Sequence, residues 1–290
     1  MSRLLLLALL MGLAGSIRAA EPLTWFLLPI PGAVNINQQG APDDGMAIEL
    51  LRALEPGLHR RGVPVRYELG NVPRMQLLLE KGRPLCAAVT LRSAERDRLA
   101  FFVPLLALPP MQLVVRAKDQ RRLPLENGQV AWQALLASGL KGAVRSQRVY
   151  PETIRMNIQQ ALSEGRLQTV SLPGSTDKHL LMLSYGRFDF TLEYPLMVSQ
   201  VMRGGQLKEP LALFPLQQVE QLGVIGTYCT RGPWGEQMAR HIDSSLRELQ
   251  PQESLDALYR RWLPPDSYQA YEAPIREFLQ DRARQPIHLD

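Results

Sequence analysis

The 290-residue sequence has few of the residues from which many functional sites are built. There are four histidines, His59, His179, His241 and His288, far apart and in no His-Glu-x-x-His or Cys/His spacing, so neither a metal site nor His-based catalysis is expected. No Gly-x-Ser-x-Gly elbow, P-loop or dinucleotide fingerprint occurs, and no cofactor is expected; Gly232–Gly235 encloses Pro233 and Trp234 and reads as a turn. Basic residues (33) and acids (28) are interspersed without a dense basic block, which argues against a nucleic-acid partner. Beyond Leu13 no apolar run is long enough to cross a membrane, since Phe101–Val115 is interrupted by Pro104, Pro109 and Pro110. Only two cysteines are present, and repeats and low-complexity segments are missing.

What is there begins with an export leader. Arg3 precedes the apolar run Leu4–Leu13 and the small residues Ala14, Gly15 and Ser16, the three-part pattern of a signal peptide over residues 1–20, cleaved at Ala19 or Ala20. The run is far shorter than the ~20 residues of a spanning helix. No cysteine lies near the cleavage point to carry a lipid, so the expected product is an unanchored periplasmic protein. In that oxidising compartment Cys86 and Cys229 either pair or remain two small buried apolar residues, and both alternatives stay open.

The body alternates strands and helices. Leu23–Pro29 reads as a strand, and Met46–Leu54, with Ile48, Leu51 and Leu54 at helical spacing, as a helix. Pro64–Leu69 and Leu85–Leu91 are further strands, separated by a helix that Pro73 opens. After a charged connector, Lys118–Asn127, come a helix at Trp132–Leu136, a strand at Gly142–Ser146 and a helix at Pro151–Ser163. Strand Leu167–Leu172, helix Asp177–Tyr185 and strand Phe188–Glu193 follow. The chain closes with an amphipathic helix, Trp234–Leu249, and a last helix, Leu255–Trp262, ended by Pro264 and Pro265. This alternation predicts an α/β protein with mostly parallel sheets.

Two extended segments, Met111–Arg116 and Leu222–Cys229, bracket the middle of the chain as a pair of hinge strands. The predicted layout is a discontinuous first lobe, residues 21–113 and 226–290, with a second lobe, residues 114–225, inserted into it and a cleft between them. A body of roughly 270 residues suits two such lobes.

The segment Thr90–Pro104 reads TLRSAERDRLAFFVP: a strand ends at Leu91, and a polar turn opens a short helix. Here the chain resembles the family 3 extracellular solute-binding proteins, which serve amino-acid uptake and have the type II periplasmic-binding-protein fold. Ser93, Glu95 and Arg96 match that family's hydroxyl and Glu-Arg turn, and Phe101 and Pro104 its following Phe–Pro segment. The resemblance extends over Trp25–Pro31, Gly45–Leu50, Leu140–Gly142, Tyr185–Asp189 and Leu255–Leu263.

The resemblance implies a monomer that captures a small polar, carboxylate-bearing, amino-acid-like solute and hands it to an ABC-type permease or presents it to a membrane receptor. It implies that Arg96, a planar bidentate fork, meets the solute carboxylate, with Ser93 and Thr90 beside it. In the family an Asp a few residues after the Gly-Arg-x-Asp strand meets the solute ammonium. Here Glu193 stands one position early and Tyr194 takes the expected place, so either Glu193 serves or the solute is not a standard α-amino acid. Trp25 is read as an aromatic wall or a core residue, and Arg74 as a second positive contact or a solvated side chain. Tyr150, with Ser146, sits where a strand meets a helix N-terminus able to hold an anion. A rival reading follows from enzymes resembling cyclohexadienyl dehydratase on the same fold, with Glu193 as general acid if burial raises its pKa.

Overall fold

The computed structural model describes residues 21–289 except 147, 149, 172–175, 218, 220 and 250–252; the leader expected over residues 1–20 lies outside them. The chain forms two α/β lobes, each built on a five-stranded sheet. In the first, β1 (Leu23–Leu27), β2 (Val65–Leu69) and β3 (Cys86–Leu91) run parallel, with α1 (Met46–Arg60) and α2 (Val72–Glu80) as crossovers. Every residue of β1 is buried, as a strand covered on both faces must be. Alternation sends Leu23, Trp25 and Leu27 into one core and Phe26 into another with Met75 and Leu79 of α2. Asn71 caps α2 by accepting from the Arg74 N–H at 2.9 Å, and Pro73 follows in the first turn.

After the short helix α3 (Ala94–Asp97), β4 (Ala100–Leu108) joins this sheet through β12 (Gly223–Thr230), which is antiparallel to both β3 and β4. The order is β2-β1-β3-β12-β4, so the sheet is mixed and not mostly parallel. Sequence reading missed β4 because Pro104 lies inside it. The register of β4 on β12 shifts between Ile225 and Gly226, opposite Pro104, and such irregularities are where a strand tolerates proline.

Pro109 and Pro110 carry the chain into the second sheet. There β5 (Gln112–Arg116) pairs antiparallel with both β10 (Phe190–Glu193) and β11 (Leu211–Phe214). β8 (Gly142–Arg145) and β9 (Leu167–Val170) complete the order β11-β5-β10-β8-β9. A 3-10 turn, Ala117–Arg122, and a hairpin of β6 (Leu125–Glu126) and β7 (Gln129–Val130) form the charged connector. One face is covered by α4 (Trp132–Ala137) and α5 (Glu152–Ser163), the other by α6 (Thr176–Ser184) and α7 (Pro195–Arg203). The chain thus passes between sheets at the two extended segments: β5 enters the second sheet and β12 returns to the first.

The first lobe is finished by α8 (Pro233–Glu248), α9 (Glu253–Trp262) and α10 (Pro265–Arg284). The last of these was unanticipated. By sequence Pro264 and Pro265 mark a stop, yet Pro265 occupies the first helical turn, where a missing N–H costs nothing. Tyr268, Tyr271, Ile275 and Leu279 then bury one side of α10 against the first-lobe core. Cys86 on β3 and Cys229 on β12 face each other and are joined in a disulfide. Among the described residues, no helix is long and apolar enough to cross a membrane and no cluster of His, Cys, Asp and Glu could hold a metal.

One buried histidine makes stability depend on pH. His179 on α6 is 1 % exposed, bonds Thr191 Oγ1 through Nε2 at 2.7 Å and stacks on Phe188. Burial, with the charge of Arg145 adding to it, lowers its pKa from 6.5 to about 4. The unfolded chain therefore binds the extra proton between those two values, and stability falls as pH drops through that window by up to about 3 kcal/mol. Urea unfolding at pH 7 and pH 4.5 should show this loss in the wild type and a shallower one in His179→Gln. Equal losses in both proteins would remove His179 as the cause.

Candidate functional site

A cavity of 240 Å³ opens between the two lobes. It lies beyond the carboxyl ends of β1 and β3, where open α/β sheets leave a crevice. Leu28, Met46 and Leu106 come to its wall from the first lobe; Tyr194, Leu196 and Met197, at the start of α7, come from the second. Sequence reading passed over α7, although Pro195 opens it in the first turn and Leu196, Val198 and Val201 bury its inner side.

The lobes touch closely around the cavity. Gly32, at φ +80, lies so near α7 that a Cβ there would stand 2.7 Å from the Leu196 carbonyl oxygen. Away from the cavity, Asn35 Nδ2 donates to Gln200 Oε1 at 3.2 Å, and the Arg203 guanidinium sits over the Trp262 ring at 4.5 Å.

The end of β3 is distorted at the wall. Thr90 pairs with Gly226 and Ala87 with Tyr228, so β3 bulges by one residue against β12. Val89 stands in this bulge at φ +58, a conformation that a β-branched residue adopts only under strain from its surroundings. Val89, Thr90 and Leu91 all reach the cavity wall. Thr90 is 5 % exposed, and its Oγ1 has no hydrogen-bond partner among the described residues.

Arg96 follows on α3 and also lines the cavity. Ser93 is the N-cap of that helix: its Oγ accepts from the Arg96 N–H at 3.3 Å, so its hydroxyl serves the turn and it is not on the wall. The turn is anchored from β12. Ser93 N–H donates to the Tyr228 hydroxyl at 2.8 Å, and that hydroxyl donates to Asp97 Oδ1 at 2.7 Å. Arg96 Nη1 donates to the Leu91 carbonyl at 3.2 Å, and among the described residues the guanidinium has no carboxylate partner.

The acid expected to meet an ammonium group is occupied. Glu193, at the end of β10, is 1 % exposed, pairs with Arg148 Nη2 and accepts from the Tyr194 N–H at 2.8 Å. Burial pushes its carboxyl above the ordinary range, and the charge of Arg148 works against that rise. The same Nη2 lies 3.3 Å from Met197 Sδ, and the Arg148 guanidinium stands over the Tyr194 ring at 5.3 Å. Arg148 and Glu193 thus brace Tyr194 and Met197 from behind. Sequence reading did not single out Arg148; nothing local distinguishes it, because its partner lies 45 residues away. Arg148→Met should cost about 3 kcal/mol in urea unfolding, since it strands a buried carboxylate. Adding Glu193→Gln should restore part of that loss, and a single variant as stable as the wild type would refute the pair's structural role.

Three other candidates lie away from the cavity wall. Trp25 is 0 % exposed because its position on β1 points into the first-lobe core, so it forms no wall. Arg74 pairs with Glu68 on the surface, away from the cavity. The Tyr150 hydroxyl accepts from the Arg145 N–H at 2.9 Å, and burial raises its pKa to about 12; it ties a loop to β8. Of the sequence-derived set, Thr90, Arg96 and Tyr194 meet at the cavity.

No family model matches the chain, and no curated protein matches it. Solved structures do. The probable amino-acid ABC transporter extracellular-binding protein ytmK from Bacillus subtilis is 15 % identical, with a TM-score of 0.61 over 85 % of this chain and 100 % of that one. Substrate-binding domain 2 of Lactococcus lactis GlnP, in an open conformation, is 12 % identical with a TM-score of 0.57 over 83 % and 95 %. A histidine kinase sensor domain with similarity to periplasmic binding proteins is 19 % identical with a TM-score of 0.57 over 84 % and 97 %. At these identities the likeness is one of fold: the two-lobed α/β architecture of periplasmic binding proteins.

Proposed function

We propose that this chain is a periplasmic solute-binding protein that captures a small carboxylate-bearing solute between its lobes for an ABC-type uptake system. The observation that carries this reading is a cavity walled by both lobes, with Arg96 on its wall and its guanidinium without a carboxylate partner among the described residues. Two bodies joined by two segments can enclose a solute by closing. A guanidinium beside apolar walls is suited to a carboxylate, which accepts two parallel charge-assisted hydrogen bonds. The Cys86–Cys229 bridge fits an oxidising compartment. The fold shared with ABC-transporter binding proteins supports the same role. The rival dehydratase-like reading needs an acid or base facing the solute. Glu193 is held by Arg148 instead, and among the described residues the wall carries no carboxylate or imidazole.

Thermal-shift screening of the purified protein against amino acids, peptides and organic acids tests the proposal. A solute at 100 times its Kd should contribute about 2.7 kcal/mol, which raises Tm by roughly 5–10 °C for a chain of this size. A flat response to all three classes would count against a solute-binding role.

A further inference from the structure

We infer that the solute is a small monocarboxylic acid with an apolar body and no α-ammonium group, an inference that rests on the solute-binding reading above. Three observations converge on it. First, the cavity takes its wall from Leu28, Ile30, Met46, Leu106, Met197 and Ile225, which offer a solute body dispersion contacts and no hydrogen bonds. Second, Arg96 on the wall suits one carboxylate. The Arg96 guanidinium has no acid partner among the described residues, while Thr90 lines the same wall with its Oγ1 buried.

Third, among the described residues the wall offers an ammonium group no counter-charge. Glu193, next to Tyr194, is absent from the wall and already accepts from both Arg148 and the Tyr194 N–H; Glu95 and Asp97, which flank Arg96, are absent from it too. An α-ammonium brought into this cavity would give up its water without gaining a carboxylate. An acid whose α-carbon carries a carbonyl oxygen or only hydrogens avoids that cost. The volume of 240 Å³ suits a body that is a small aliphatic or aromatic group.

Isothermal titration calorimetry with compounds of matched skeleton separates the alternatives: 4-methyl-2-oxopentanoate, 4-methylpentanoate and propanoate against leucine and glutamine. The two larger acids should bind at least tenfold more tightly than leucine, and affinity should rise about fourfold per methylene from propanoate to 4-methylpentanoate. Arg96→Gln should weaken both larger acids at least tenfold. Leucine or glutamine binding as tightly as the acids, in an Arg96-dependent way, would overturn this inference and leave the solute-binding reading standing. Affinity that fails to rise with the apolar body would also overturn it. No binding of any of the five compounds to folded protein would overturn this inference, and a flat thermal-shift screen beside it would remove the solute-binding reading as well.

Discussion

Arg96→Ala is expected to weaken solute binding at least about 100-fold while leaving the unliganded melting temperature almost unchanged. The two halves of that expectation have separate causes. Hydrogen bonds to a charged group contribute about 1.5–3 kcal/mol each, and a carboxylate left without its cation among apolar walls also forfeits the water it gave up. Since about 1.4 kcal/mol is a factor of ten, two lost bonds place the change at two decades or more. The fold, by contrast, asks little of this side chain. It makes one bond to the Leu91 carbonyl and no ion pair among the described residues, and the turn is held by Ser93, Tyr228 and Asp97. Arg96→Lys should fall between wild type and alanine, because an ammonium keeps the charge but loses the fork. Solute-induced stabilisation that survives intact in Arg96→Ala would mean that the carboxylate sits elsewhere.

Loss of the Cys86–Cys229 bridge should lower the free energy of unfolding by about 4 kcal/mol, and Tm by about 10 °C. The bond closes a loop of 143 residues in sequence, which contains the whole second lobe, so its absence frees a large part of the unfolded chain. Both half-cystines are 0 % exposed and sit on directly opposed strands, so the native state accommodates the bond where the sheet already holds the chain. Comparing melts with and without reductant, and with Cys86→Ala/Cys229→Ala, checks the figure. A shift below about 1 kcal/mol would show that the sheet alone already holds these strands together. The bridge also lies upstream of the site, since β3 leads into Val89–Leu91 and β12 supplies Tyr228. Solute affinity should therefore weaken in the reduced protein even at temperatures where it stays folded.

The legible parts of this fold were those whose signals are local. The α1 stripe of Ile48, Leu51 and Leu54, and the proline that opens α2, marked those helices from neighbouring residues alone. The same holds for Thr90 and Arg96, which lie in one continuous motif. β4 was hidden because its proline is tolerated only through a shift in its register with β12, a partner more than 100 residues distant. α10 was hidden because a proline that ends one helix and one that opens the next look alike without the packing that follows. Trp25 was ambiguous for a different reason: β1 is buried on both faces, so alternation carries no information about which face meets a solute. The pairing of Glu193 with Arg148 depends on where two separate strands end, which no spacing records.

The contacts of Asn35 with Gln200 and of Arg203 with Trp262 have a consequence for how tightly the cleft can hold anything. They join the lobes without touching the cavity, so any parting of the lobes breaks them whether the cavity is filled or empty. They act as a standing bias on the opening equilibrium. The fraction of empty molecules already shut divides into the intrinsic dissociation constant, so each such contact tightens binding of every solute by the same factor. Selectivity is then left to the wall, and grip to a surface that no solute ever meets.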